Sequence, residues 1–213
     1  MKFPESEEID RILPVIEGIR KKNEIPISVD TYKSKVAMYA IESGADWIND
    51  ISGFRFDDSM VEIAEKYNCP VVIMHMQGTP QSMQINPVYD DVVSELIDYF
   101  SERIESLNQV NIKNIIIDPG IGFGKAQNHN LEILNHLQRF KEIGLPVLIG
   151  ASRKSFIGNI LGNKVDNRLP GSLAVISWLT INKVDLVRVH DVKESLEVIK
   201  IINSIKNVNN NHF

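Results

Sequence analysis

Six short runs of nearly continuous apolar, largely β-branched residues recur along the chain, at 25–29, 47–51, 70–74, 115–117, 146–149 and 186–189. Each has about the length of a strand. None alternates apolar with polar, so each fits a parallel strand covered on both faces. The segments between them carry a helical period, as in Val36, Tyr39 and Ala40, in Met60, Ile63 and Ala64, and in Val92, Leu96 and Tyr99. Leu196, Ile199 and Ile202 continue it near the end. Strand and helix in strict alternation predict an α/β protein with a parallel sheet. A chain of 213 residues suits a single domain over 1–213.

The strands end in residues that an apolar strand does not choose: Asp30, Asn49 with Asp50, His75, Asp118, and Arg188 with His190. The fifth strand runs into Gly150-Ala-Ser-Arg-Lys-Ser155. Ligands of parallel α/β proteins bind beyond the carboxyl ends of the strands, in open sheets and barrels alike. A single such aspartate reads as a helix cap. All six strands together read as the rim of an active site. No Gly-x-Gly-x-x-Gly follows the first strand, so a dinucleotide-binding sheet is not indicated. A closed barrel takes eight strands and typically about 250 residues. Six are present, and the opening helix at 7–22, with Ile9, Ile12, Leu13, Ile16 and Ile19 on one face, has no strand before it.

Three segments carry chemistry. In 115–125 a strand delivers Asp118, then Pro119 and the glycines at 120, 122 and 124 allow a tight turn and close approach of a ligand. It is not a Walker loop, because the spacing before Lys125 is wrong. In 150–155 hydroxyls and cations precede a helix, which suits an anionic or carbonyl-bearing ligand, although a solvated lysine beside a cap gives the same pattern. Arg188 and His190 lie two apart on the last strand and so share a side, where they can hold a phosphate or pyrophosphate; a structural ion pair with a strand-end aspartate is the alternative. His75 alone is more simply a core histidine.

Composition narrows the partners. Twenty-three lysines and arginines against 28 aspartates and glutamates give a net charge of −5, with no arginine-rich stretch, so nucleic acid is not expected. Cys69 is the only cysteine, and the five histidines are scattered, so no protein metal cluster is expected. The first residues have no signal-like apolar core, and no apolar run approaches the roughly 20 residues of a membrane span. The expected location is cytoplasmic. The polar residues from Asn207 onward read as a frayed end.

These segments, in this order, resemble the dihydropteroate synthases of the pterin-binding family. The resemblance rests on Ile27-Ser-Val-Asp-Thr-Tyr-Lys33, Ile48-Asn-Asp-Ile51, Met74-His-Met-Gln-Gly78, Asp118-Pro-Gly-Ile-Gly-Phe-Gly-Lys125, Ser152-Arg-Lys-Ser155, Arg168-Leu-Pro-Gly-Ser172 and Arg188-Val-His-Asp-Val192. It implies a (β/α)8 TIM barrel, here amino-terminally truncated to about six parallel strands, since family members begin with two further strands and their loops. The implied reaction joins p-aminobenzoate to a dihydropterin methyl pyrophosphate, giving dihydropteroate and pyrophosphate for folate synthesis. The resemblance further implies a transferase that is a sulfonamide target, a magnesium cofactor whose protein ligand lies outside this chain, and a homodimer. It assigns Asp30, Asn49, Asp118 and Lys154 to the pterin, Arg188 and His190 to the pyrophosphate, and Phe123 and Ser155 to the aminobenzoate. Lys154, Arg188 and His190 are then the catalytic set. A pterin-dependent methyltransferase of the same superfamily and a remnant that only binds pterin are the alternatives.

Overall fold

The computed structural model describes residues 3–208. The far end of the polar tail, 209–213, lies outside the described residues. The chain divides into two compact units, one holding the residues up to His75 with Asp98–Ile117, the other Met76–Ile97 with Asp118 onward.

The first unit alternates α1 (Glu5–Arg20), β1 (Ser28–Asp30), α2 (Ser34–Glu42), β2 (Trp47–Asp50), α3 (Ser59–Tyr67) and β3 (Val71–Met74). Most of α4 (Val92–Gln109) and of β4 (Ile115–Asp118) follows. The strands form one sheet in the order β1-β2-β3-β4. β1 and β2 pair in parallel with Asp30 opposite Asn49, and β2 and β3 with Asp50 opposite Ile73. The expectation of strands covered on both faces holds for β3 and β4, every residue of which is buried, but not for β1, where Ser28 and Asp30 are exposed. Ile48, Val71, Ile73 and Ile117 are fully enclosed, and so are Val36, Ala37, Ala40 and Met60 on the helices.

β1 starts three residues later than the apolar run at 25–29 suggests. Pro26 has no N–H to give to a ladder, and the stretch before Ser28 is held by side chains instead. Arg20 donates to the carbonyls of Ile25 (2.6 Å) and Gly44 (2.7 Å), while Asp46 accepts the Ile27 N–H (2.7 Å). In the Asp30-Thr-Tyr-Lys33 stretch, Thr31 and Lys33 both bind Glu8 of α1, which ties the opening helix to the end of β1.

The second unit contains α5 (Gln127–Asn135), α6 (Leu137–Lys141), β5 (Leu148–Ile149), α7 (Ser155–Leu161), α8 (Leu169–Ile181), β6 (Leu186–Val187) and α9 (Val192–Asn207). β5 and β6 pair in parallel, Leu148 opposite Leu186 and Ile149 opposite Val187. Both are shorter than their apolar runs. The pairing continues by one bond, Arg188 N–H to the Ile149 carbonyl at 3.0 Å, and then side chains take over the backbone groups.

Candidate active site

Asp118 closes β4 with its carboxylate buried, and Oδ1 accepts the Gly120 N–H at 2.8 Å. The loop that follows turns through left-handed backbone at Gly120, Gly122 and Gly124. At Gly124 the reason is steric as well: a Cβ there would stand 2.7 Å from the Gln77 carbonyl oxygen. The loop's polar groups are extensively tied. Asn130, itself buried, accepts the Gly122 N–H through Oδ1 (2.6 Å) and donates to the carbonyls of Ala126 (2.7 Å) and Lys125 (3.3 Å). Gln84 donates to the Gly122 carbonyl (2.6 Å), Tyr89 to that of Gly124 (2.8 Å), and Lys125 Nζ to that of Phe123 (2.9 Å). A loop so tied is pre-organised rather than adaptable.

Burial pushes the Asp118 carboxyl up from its ordinary 3.8 to about 6, opposed by the Gly120 hydrogen bond and by the charges of Lys125, Lys154 and Arg188. Lys125 is also buried, which pulls its ammonium down to about 7; Asp118 holds it up and Lys154 pushes it further down. One enclosed carboxylate therefore feels the charges of three basic side chains. Such an arrangement is fit to accept a bidentate N–H edge from a polar heterocycle.

Lys154 caps α7 and places its ammonium over the Phe123 ring, 4.0 Å from the centroid. Its methylenes lie where a side chain on Gly122 would have to go, 3.0 Å from that missing Cβ. Ser155 opens α7 and is exposed. The Ser152 hydroxyl meets His190 Nδ1 at 3.1 Å. Arg188 and His190 are exposed and lie beyond β6, which ends at Val187. The expectation that both point from one strand is corrected here: after Arg188 the ladder stops, because the Ser152 hydroxyl rather than a carbonyl faces the His190 N–H (3.4 Å).

The second unit thus gathers Asp118, Phe123, Lys154, Arg188 and His190, and Ser155 is adjacent to Lys154. In the first unit Asp30 and Asn49 stand side by side at the ends of β1 and β2. Asp30 is exposed, whereas Asn49 is buried and its Oδ1 has no hydrogen-bond partner. A buried acceptor left open is costly unless an ordered water or a ligand fills it. Asp50 beside it has a local structural role, accepting the N–H groups of Ser52 (2.7 Å) and Phe54 (3.1 Å). His75 packs edge-on against Tyr99, as expected of a core histidine. Lys125 and Asn130 are functional candidates that sequence reasoning passes over. The lysine carries a signal, since it closes a glycine loop; Asn130 carries none, being one polar residue on a helix.

No three histidine, cysteine, aspartate or glutamate side chains converge among the described residues. The described residues thus offer no dedicated cluster for a magnesium ion, which beside substrate phosphates needs only one or two protein carboxylates.

A strand-end carboxylate under the influence of three basic side chains, behind a glycine loop and beside a helix start, is suited to an enzyme that takes a polar, charged small molecule. The family model for pterin binding enzyme matches residues 2–190, and the chain belongs to that family. Among its relatives, the dihydropteroate synthase of Clostridium beijerinckii is 43% identical over 204 residues, which cover 94% of this chain and 73% of the relative. The crystal structure of Yersinia pestis dihydropteroate synthase in a sulfonamide drug complex superposes with a TM-score of 0.94 at 36% identity, covering 97% of this chain and 76% of that one. The Xanthomonas albilineans dihydropteroate synthase in complex with 7,8-dihydropteroate gives 0.90 at 36% identity, covering 96% and 76%. The fold class expected from the sequence, an α/β protein of (β/α)8 TIM-barrel type with six parallel strands, stands with these likenesses.

Proposed function

We propose that the chain is a dihydropteroate synthase, a transferase that condenses dihydropterin methyl pyrophosphate with p-aminobenzoate in folate biosynthesis. The observation that carries this is Asp118, a buried carboxylate that feels the charges of Lys125, Lys154 and Arg188. It suits the N–C–N edge of a pterin, with two parallel donors, as a carboxylate suits a guanidinium. Lys154 meets the ring carbonyl, and the family resemblance assigns Asn49 and Asp30 of the first unit to the pterin as well. The open Oδ1 of Asn49 is an acceptor ready for a ring N–H.

The chemistry needs no covalent nucleophile. The bond between the pterin methylene and the pyrophosphate oxygen breaks, and the electron pair leaves with pyrophosphate. Arg188 and His190 stabilise the charge that grows there. The ring's conjugation spreads the cation left on the methylene, the aniline nitrogen attacks it, and the nitrogen then loses a proton. Phe123, held by its own carbonyl through Lys125, and Ser155 at the start of α7 flank the aminobenzoate.

The same reading takes 1–213 as one pterin-binding domain that works as a homodimer in the cytoplasm. No described helix is long and apolar enough to cross a membrane. Cys69 is buried and unpaired, as suits a reducing compartment. The exposed Ile160, Leu161 and Trp178 give a second copy an apolar face to cover. The deciding assay incubates the purified chain with dihydropterin methyl pyrophosphate and p-aminobenzoate, with magnesium in the buffer. Dihydropteroate and pyrophosphate in equal amounts are expected. Methyl transfer from a methylated folate to a corrinoid protein, without any need for aminobenzoate, would overturn the reading.

A further inference from the structure

The segment Arg168-Leu-Pro-Gly-Ser172 at the start of α8 is not used by the chemistry above, yet it is bound to a segment that is. Arg168 Nη1 donates to the Arg153 carbonyl at 2.9 Å, and the Ser172 hydroxyl oxygen accepts the Arg153 N–H at 2.9 Å. Ser172 Oγ in turn donates to the Arg168 carbonyl at 2.9 Å, so the two residues form one bracket. Both backbone groups of Arg153 are thereby held, and they are held in the left-handed region, with φ at +57°. A non-glycine residue adopts that conformation only at an energetic cost, which the two hydrogen bonds offset.

Two glycines make room for the bracket. A Cβ on Gly158 would stand 2.4 Å from Arg168 Nε, and one on Gly171 would stand 2.3 Å from Ile157 Cγ2. The first lets the guanidinium lie on α7, and the second lets α8 approach α7. The Arg153 side chain extends the connection, its Nε donating to Asp191 Oδ2 at 3.0 Å and its Nη2 pairing with the other oxygen. The Ser152 hydroxyl reaches His190 one residue away. Residues 152–153 are therefore fixed on one side by 168 and 172, and on the other fix 190 and 191.

We propose that Arg168 and Ser172 are positioning residues, which hold the left-handed turn at Arg153 and so set Lys154 and His190 in one fixed relation. Their role in catalysis rests on the dihydropteroate synthase reading of Lys154 and His190; the bracket itself does not. Without it, Arg153 relaxes toward ordinary backbone, Lys154 leaves the Phe123 ring, and the tie to Asp191 carries His190 with it. A shift of about 1 Å in groups that meet a transition state costs up to about 100-fold in rate.

The test uses Arg168→Met, Arg168→Lys and Ser172→Ala in the full chain, with two readouts. Amide exchange at 152–154 is expected to accelerate at least about tenfold in Arg168→Met and Ser172→Ala, while 71–74 and 115–117 keep the parental rate. The KM for dihydropterin methyl pyrophosphate is expected to rise, and kcat to fall, by about 10- to 100-fold together in Arg168→Met. Arg168→Lys, which keeps one charged donor, is expected to recover part of both. Parental exchange at 152–154 in both variants would overturn the proposal, as would faster exchange everywhere, or faster local exchange with unchanged kinetics. Should Arg168→Met fail to fold, Ser172→Ala decides alone, and its failure to fold would also overturn the idea. A parent chain with no turnover defeats the functional reading, while exchange still decides whether the bracket holds the turn.

Discussion

Asp118 is the residue on which ligand binding and stability pull in opposite directions. Its carboxyl ionises near 6 in the folded chain against 3.8 when exposed. Between those values the unfolded chain has released the proton and the folded chain still holds it, so stability falls as pH rises from about 4 to 6 and levels above. The difference corresponds to roughly 3 kcal/mol. Asp118→Asn cannot ionise and still offers an oxygen to the Gly120 N–H. Urea unfolding is therefore expected to show the variant gaining on the parent as pH rises from 4 to 6.5, while the ligand response is lost. A parental advantage that grew over that interval would contradict the assignment. The pterin edge needs the ionised form, so kcat/KM for dihydropterin methyl pyrophosphate should fall as pH drops below about 6. Lys125 helps keep Asp118 ionised, and Lys125→Met should move that acid limb upward in pH–rate profiles. Asp118 is legible in the sequence because the carboxylate that ends an all-apolar strand is followed at once by a proline and three glycines, whereas alone it would read as a cap. The effect of Lys125 on it is not, since burial of an ammonium is a property of the packed chain.

At the scale of elements, the glycine loop is the part most fully foreseen, because three glycines in five residues demand unusual backbone wherever they fall. What the sequence does not disclose is the set of side chains that hold the loop. Asn130 acts from α5, and Gln84 and Tyr89 from the stretch before α4, 38 and 35 residues from the carbonyls they bind. Asn130→Ala removes an acceptor and a donor from buried partners, which costs about 2 kcal/mol or more. Its turnover should fall with it, since Phe123 and Asp118 sit on the loop it anchors. Gly124→Ala should be worse than a normal glycine substitution, combining left-handed φ with a clash on Gln77 backbone that no side-chain rotation relieves. Thermal melts of both variants check these expectations, and a Gly124→Ala chain as stable as the parent would contradict the loop geometry. Strand ends are less legible. The run at 146–149 is apolar throughout and that at 186–189 is broken only by Arg188, but only two residues of each pair, because past Arg188 the ladder gives way to Ser152 and the bracket around Arg153.

For the molecule as a whole, sequence periodicity yields the number and parallel sense of the strands but not which helix faces stay uncovered. Helices α5, α7 and α8 line an apolar groove of about 380 Å³, with Leu131, Phe156, Ile157, Ile160, Leu161 and Trp178 along it. α8 is apolar around its circumference, as a helix is when more than one face meets protein. Trp178 is part exposed while its indole N–H is already satisfied by the Leu134 carbonyl at 2.7 Å. The indole thus brings apolar area and no unmet donor to the groove. Exposed apolar residues this concentrated mark an association surface more often than a solvated one. A second copy is the occupant that fits the homodimer reading, because a two-fold pairing brings the same patch from both chains. Ile160 is half-exposed and makes no polar contact, so Ile160→Lys should leave folding nearly unchanged. It would nevertheless place a charge, and in a two-fold contact its repeat, into the covered face. Sedimentation at micromolar concentration is expected to give twice the chain mass for the parent and a single chain for Ile160→Lys, with similar melting at low concentration. A parent that sediments as a single chain at every concentration would remove the second copy from the groove.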